Sequence, residues 1–401
     1  MGSIKGIYVP LILALTGLFV CRAEAANIFG DRLFFEICKS GSPQEVESAI
    51  KAGADVNTLA HGGWTALMHA AEYNSDPEVI TTLIKNGAGV NARDNGEWTP
   101  LMFAAAKNNN PEIIIALIKN GADVQARNRR GLTALMLAGG NNLRAVTALV
   151  ENGADINARN EDGKTALMFA AANGNRPEVI VELIKNGAEV NAGDKDGLTA
   201  LMIAAKGNNY PEIITALLEN GADADARNED GLTALRQAAA NNTNPGVVTA
   251  LLEHGSGRGA GKADPGWQDS MTSLMFAAAR GNMPEVIIEL IKNGAEVNAR
   301  DADGLTALMI AAKWNNNPGV IIELIKNGAE VNAGDADSRT ALIYAAEWNS
   351  NPAAVITALV KNGADVKVRD KDGKLAIDHA KNNIDLWGNT DIFQELEARG
   401  N

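Results

Sequence analysis

The side chains able to do chemistry in this 401-residue chain are few: four histidines, two cysteines, six tryptophans and a regular scatter of charged residues. Catalysis requires such groups to converge on one reacting atom. Gly163-Lys164-Thr165 ends like a phosphate-binding loop, but the first glycine of that motif falls on Ala158. Asp301, Asp303 and Gly304 match the middle of a calcium loop, yet its first ligand position falls on Ala299 and its bidentate glutamate position on Ile310. His61, His69, His254 and His379 lack the spacing of metal ligands, so packing or surface roles are expected for them. Cys38 has no neighbouring histidine to activate it and reads as a free thiol. The recurrent acids read as solvated turn residues. Neither catalytic residues nor metal ligands nor cofactor contacts are expected, and the chain is expected not to be an enzyme.

What remains is non-covalent recognition. Trp64 and Trp98 each precede a recurring threonine, while Tyr73, Trp314 and Trp348 follow a recurring Ala-Ala pair by two residues. Exposed rings of this size bury about 150–250 Å² each and serve as binding anchors. Lys107, Arg280 and Lys313 share the same face with the acids Glu72 and Glu347. The aromatics form an N-terminal group and a C-terminal group, which allows two sub-sites.

The positioning elements repeat. Sliding the sequence against itself gives a period of 34 anchored on Thr65, Thr99, Thr133, Thr165, Thr199, Thr233, Thr272, Thr306 and Thr340, the mark of a solenoid. In the clearest copy, Leu201, Met202, Ala204 and Ala205 give the apolar spacing of a short first helix, whose small residues let neighbours approach closely. A polar loop follows, then Pro211, suited to the first turn of a second helix with Ile213, Ile214, Leu217 and Leu218 on one stripe. Gly221 is placed to end that helix in a left-handed conformation, and Asn228 to Gly231 form a turn before the next threonine.

This unit resembles the ankyrin repeat. The resemblance covers residues 31–401, with units starting near 31, 65, 99, 133, 165, 199, 233, 272, 306 and 340, and a C-terminal capping half-unit from Leu375. It implies an all-α repeat solenoid of helix-turn-helix units with projecting hairpin loops. It also implies a protein-protein interaction scaffold that binds a partner on the concave face of hairpin tips and first helices, where the aromatic columns fall. Inhibitor or immunity-type protein for an exported enzyme or toxin, and secreted effector acting on host proteins, are the alternative roles. One departure stands out. Where the family usually has His in a Thr-Pro-Leu-His motif, this chain has Met68, Met102, Met136, Met168, Met202, Met275 and Met309, so the inter-unit histidine network is expected to give way to soft apolar packing.

Residues 1–25 differ from all that follow. Lys5 precedes an apolar run from Ile7 to Val20, and Ala23-Glu24-Ala25 supplies a small-x-small cleavage pattern, so a bacterial signal peptide and a periplasmic or secreted destination are expected. With Pro10 inside it, the run is short for a bilayer span of about 20 residues. Acylation at Cys21 is the rival reading, disfavoured by the bulky Phe19 and Val20 before it. The rest of the chain, 26–401, reads as one repeat domain without membrane insertion, and as a monomer. A formal charge of −13 argues against nucleic-acid binding, which needs clustered cations, and favours a basic or neutral protein partner.

Two breaks interrupt the array. A Gly-rich insertion occupies 256–266, and the unit from Thr133 to Lys164 has 32 residues, lacks the proline and carries Gly139-Gly140. That unit is expected to be a flex point: hydrogen exchange should show residues 136–146 opening before their neighbours, and uniform protection would contradict this.

Overall fold

The computed structural model describes residues 30–140, 142–254, 271–280, 283–386 and 389–400; the expected leader and the Gly-rich insertion lie outside them. Two compact units meet in sequence at Glu161 and Asp162, inside the hairpin that closes the 32-residue repeat. The first holds α1 (Asp31–Ser40), α2 (Pro43–Lys51), α3 (Ala66–Tyr73), α4 (Pro77–Lys85), α5 (Pro100–Lys107), α6 (Pro111–Lys119), α7 (Ala134–Ala138) and α8 (Leu143–Glu151). The second holds α9 (Ala166–Asn173), α10 (Pro177–Lys185), α11 (Ala200–Gly207), α12 (Pro211–Glu219), α13 (Ala234–Asn241), α14 (Pro245–His254), α15 (Ser273–Arg280), α16 (Pro284–Lys292), α17 (Ala307–Trp314), α18 (Pro318–Lys326), α19 (Ala341–Trp348), α20 (Pro352–Lys361), α21 (Ala376–Ala380) and α22 (Thr390–Gly400). Odd-numbered helices α1 to α7 and α9 to α21 pack on the next odd-numbered helix within each unit, and the second helices form a parallel row.

Most first helices begin at an extended threonine that caps them: Thr65 Oγ1 accepts the N–H of Met68 at 3.2 Å, and Thr199 accepts that of Met202 at 3.4 Å, whereas Thr340 is extended but makes no such bond. Leu and Met then point inward and are essentially fully buried in the Leu-Met copies, from Leu67 and Met68 to Leu308 and Met309. Unit 233 alone puts a cation in the methionine column. There Arg236 is 7% exposed and lies 5.6 Å from the Phe276 ring. Second helices other than α8, which starts at Leu143, begin at proline and bury a stripe such as Ile213, Ile214, Ala216 and Leu217, leaving Leu218 half-buried. They end at glycines such as Gly221, φ +92°, a conformation an L side chain resists.

Hydrogen bonding between repeats is not lost with the histidine; it runs through an asparagine that in most repeats stands three residues before the proline. Asn108 Nδ2 donates to the carbonyls of Ala71 and Asn74 at 2.9 and 2.8 Å, and its Oδ1 accepts the N–H of Asn110. Asn74 makes the same pair of bonds to Cys38 and Gly41. In the second unit Asn208, Asn242, Asn349 and Asn383 repeat the pattern, and Asn315 reaches Ala278. All of them are buried. The ladder skips the short repeat, where Asn142 instead caps α8 by accepting the N–H of Ala145, and the repeats from Thr165 and Thr272, whose sequences place Gly174 and Gly281 there with no amide to give.

A buried carbonyl left without a donor costs about 1–3 kcal/mol. Asn208→Ala strips the donor from two carbonyls and is expected to cost about 2–4 kcal/mol in urea unfolding, whereas Asn173→Ala, on the exposed end of α9, should stay within about 0.5 kcal/mol of the parent. Equal effects would contradict the ladder's role.

Candidate functional site

The hairpins that precede each first helix are built on a buried or half-buried acid or amide. Asp94 Oδ1 accepts the N–H groups of Gly96 and Trp98, both at 2.8 Å, and Asn128, Asp194, Asp301, Asp335 and Asp370 do the same for the residues two and four positions on. Successive hairpins are tied by backbone bonds, such as Asn95 N–H to Gly62 O at 2.9 Å in the first unit and Lys195 N–H to Asp162 O at 3.0 Å in the second. Each of these acids or amides therefore holds its turn together while the flanking residues point outward.

In the first unit the side chains before the threonines fold back onto the helices. Trp64 lies with its ring centroid 4.2 Å from Phe103 and 5.0 Å from His69; Trp98 lies 5.2 Å from Phe103, and Phe35 lies 4.9 Å from His69. Phe35, His69, Trp64, Phe103 and Trp98 form one continuous row of rings in which both tryptophans are half-buried. Tyr73 stands apart at the end of α3, 56% exposed, with the Lys39 ammonium 5.6 Å from its ring. Lys107 is exposed one repeat further on.

In the second unit Trp314 and Trp348 end α17 and α19 at 60% and 38% exposure. Lys313 Nζ lies 4.8 Å from the Trp314 ring, 4.9 Å from Trp348 and 5.5 Å from Tyr344. Tyr344 is buried beneath them, its hydroxyl donating to Asp335 Oδ2 at 2.6 Å, a bond that together with burial raises its pKa above the ordinary tyrosine value. Arg339, one residue before Thr340, lies 5.3 Å from the Trp348 ring and 3.9 Å from Glu347. His379 closes the row between Asp370 at 2.8 Å and Glu347 at 3.2 Å. Arg280, at the same helix end as Trp314, is exposed. Between Lys107 and Arg280 the helix-end column holds the smaller Asn173, Gly207 and Asn241, and residues 172–174 and 207–210 line a shallow hollow with Tyr210 at its edge.

Tyr344, Arg339 and Phe103 were not among the expected site residues. The signal for them was present: each occupies a column that varies among units whose packing positions do not.

No group of histidine, cysteine and carboxylate side chains suited to a metal ion occurs among the described residues. Cys38 is fully buried, and burial pushes its thiol up to about 12, far from the thiolate a nucleophile needs. No helix among the described residues is long and apolar enough to cross a membrane.

A family model for ankyrin repeats matches residues 14–94, 33–128, 74–160, 101–194, 167–264 and 274–370. This chain belongs to the ankyrin-repeat family. Among proteins of curated function, none matches it significantly. Ankyrin repeats are modules of protein-protein interaction, typically without catalysis, and the row of helix ends and hairpins is where this ankyrin protein varies from repeat to repeat.

His69 gives a test of the first aromatic row. Burial, and then the Lys39 charge, push its pKa down from 6.5 to about 4, and its Nδ1 is buried without a hydrogen-bond partner. Between these values the unfolded chain takes up a proton that the folded chain refuses, so stability falls as pH falls from about 6.5 towards 4. His69→Phe, which places in α3 the residue α5 has at Phe103, removes that contribution. The variant should gain on the parent in urea midpoint between pH 7 and pH 4.5; a constant difference would show that His69 titrates normally.

Proposed function

We propose that this ankyrin protein is a non-enzymatic scaffold, exported from a bacterial cell, that holds a protein partner on the face made by its first-helix ends and hairpins. The observation that carries the reading is the exposure of Tyr73, Trp314 and Trp348 at the ends of first helices. A stack of repeats has no packing use for a large ring in that column, where other units place Asn173, Gly207 and Asn241. Exposed aromatics with little conformational freedom are the side chains that anchor protein interfaces. Lys107 and Arg280, exposed in the same column, give the surface a mixed character that suits a partner with both acidic and basic residues.

Export rests on the leader-like residues 1–25 alone, and the partner is drawn from the periplasm or the cell exterior accordingly. The formal charge of −13 adds long-range attraction for a basic partner, seen mainly in the association rate.

The reading is tested by affinity capture with the parent and with a Tyr73→Ala/Trp314→Ala/Trp348→Ala variant. The variant is expected to keep its melting temperature within a few degrees, because the rings are exposed, and to lose a captured protein by tenfold or more. Capture of the same proteins in the same amounts would place the binding face elsewhere.

A further inference from the structure

The repeat itself sets the spacing of the second aromatic group. Trp314 and Trp348 follow their Ala-Ala pairs at the same distance, one repeat apart, and neighbouring helices in such a stack lie about 8–10 Å from one another. Among the described residues Trp314 and Trp348 make no ring-ring contact with each other; Trp348 leans on Tyr344 at 5.4 Å between centroids, and a cation lies against both indoles. The Lys313 ammonium lies within 5 Å of both indole centroids, and Tyr344 supplies a third ring 5.5 Å away as the floor. A cation over a ring face within about 6 Å is attracted by the ring's quadrupole, and more strongly where water is displaced.

The walls are held independently of the lysine. Tyr344 is fixed through Asp335, which is itself gripped by the N–H groups of Asp337 and Arg339, and Trp348 is braced by the Arg339 guanidinium. Lys313, by contrast, is a half-buried side chain on a flexible stem, with no carboxylate within salt-bridge distance among the described residues. Its departure leaves the box standing.

The geometry points to a cation box, formed by Trp314, Tyr344 and Trp348 and occupied at rest by Lys313, that takes an arginine or lysine side chain of a basic partner in exchange for that residue. This rests on the scaffold reading and deepens it: Lys313 is the resident that the partner displaces, not a contact the partner makes. The net negative charge of the chain favours the same class of partner. Among the described residues of the first unit Lys39 faces the single ring of Tyr73, which makes no such box.

The test uses the full ¹⁵N-labelled chain and two peptides, acetyl-Gly-Arg-Gly-amide and its citrulline counterpart, which keeps the shape of arginine and loses the charge. Indole N–H resonances are assigned with Trp314→Phe and Trp348→Phe. The arginine peptide is expected to shift the Trp314 and Trp348 resonances in a saturable manner and the citrulline peptide to leave them in place. Because a resident competitor lowers apparent affinity in proportion to its occupancy, Lys313→Gln is expected to bind the arginine peptide about fivefold more tightly. Weaker or unchanged binding by Lys313→Gln, or equal shifts with citrulline, would overturn the box. Loss of partner capture on removing the tryptophans, together with no response to the arginine peptide, would leave the scaffold standing and refute the box alone.

Discussion

The structure depends on the side-chain amide of an asparagine that recurs in most of its repeats. A short helix followed by a loop and a second helix leaves the carbonyls at the end of the first helix without partners, and in a stack those carbonyls are covered by the next repeat, where water cannot reach them. The asparagine resolves this with two donors and one acceptor. Its N–H groups satisfy two carbonyls of the preceding repeat, and its oxygen caps the loop of its own, as Asn108 does for Ala71, Asn74 and Asn110. A bond made only when two repeats are in register converts a general apolar attraction between Ala-rich helices into one defined stacking. Methionine can then replace histidine in the column beside it, because the directional contact no longer has to come from there.

Local rules made much of this legible in the sequence. Threonine caps, prolines at first turns and left-handed glycines act within a few residues, so their recurrence marks helix ends directly. The Asn ladder was harder to read because its bonds run to residues 34 and 37 positions earlier, and the column sits in a loop where asparagine is ordinary. Its constancy was the clue: Asn74, Asn108, Asn208, Asn242, Asn315 and Asn349 all stand three residues before a proline, whereas the residue after each of them varies.

The site residues divide along the same line. Trp64 and Trp98 occupy a variable column that faces outward, yet both are half-buried, because the next column offers them Phe103 and His69 to lie against. Periodicity gives a side chain's starting direction and says nothing of where a large flexible ring comes to rest. The same reasoning explains why Lys313 and Trp314 looked like two separate contacts. They are consecutive on one helix, and only the rung above, bringing Tyr344 and Trp348, turns them into an occupied box.

Where a repeat protein keeps its recognition residues follows from which columns the stack has already used. The cap, the inward Leu and Met, the Ala pair, the amide ladder, the proline and the turn-forming acid are each tied to packing or hydrogen bonding, so substitution there costs stability in every copy. The helix-end residue beyond the Ala pair and the residue before the threonine are bound less uniformly: Leu132 is buried and Trp64 and Trp98 pack on Phe103, yet across the chain these columns range from Gly207 and Leu198 to Trp314 and Arg339. Binding specificity placed in those two columns leaves the fold unchanged, and because neighbouring copies of a column lie one helix spacing apart, any two of them form a pocket whose width the fold sets in advance. Side chains of partner size, a cation or a ring, fit that width. The ladder that fixes the stacking therefore also fixes the dimensions of what the surface can hold.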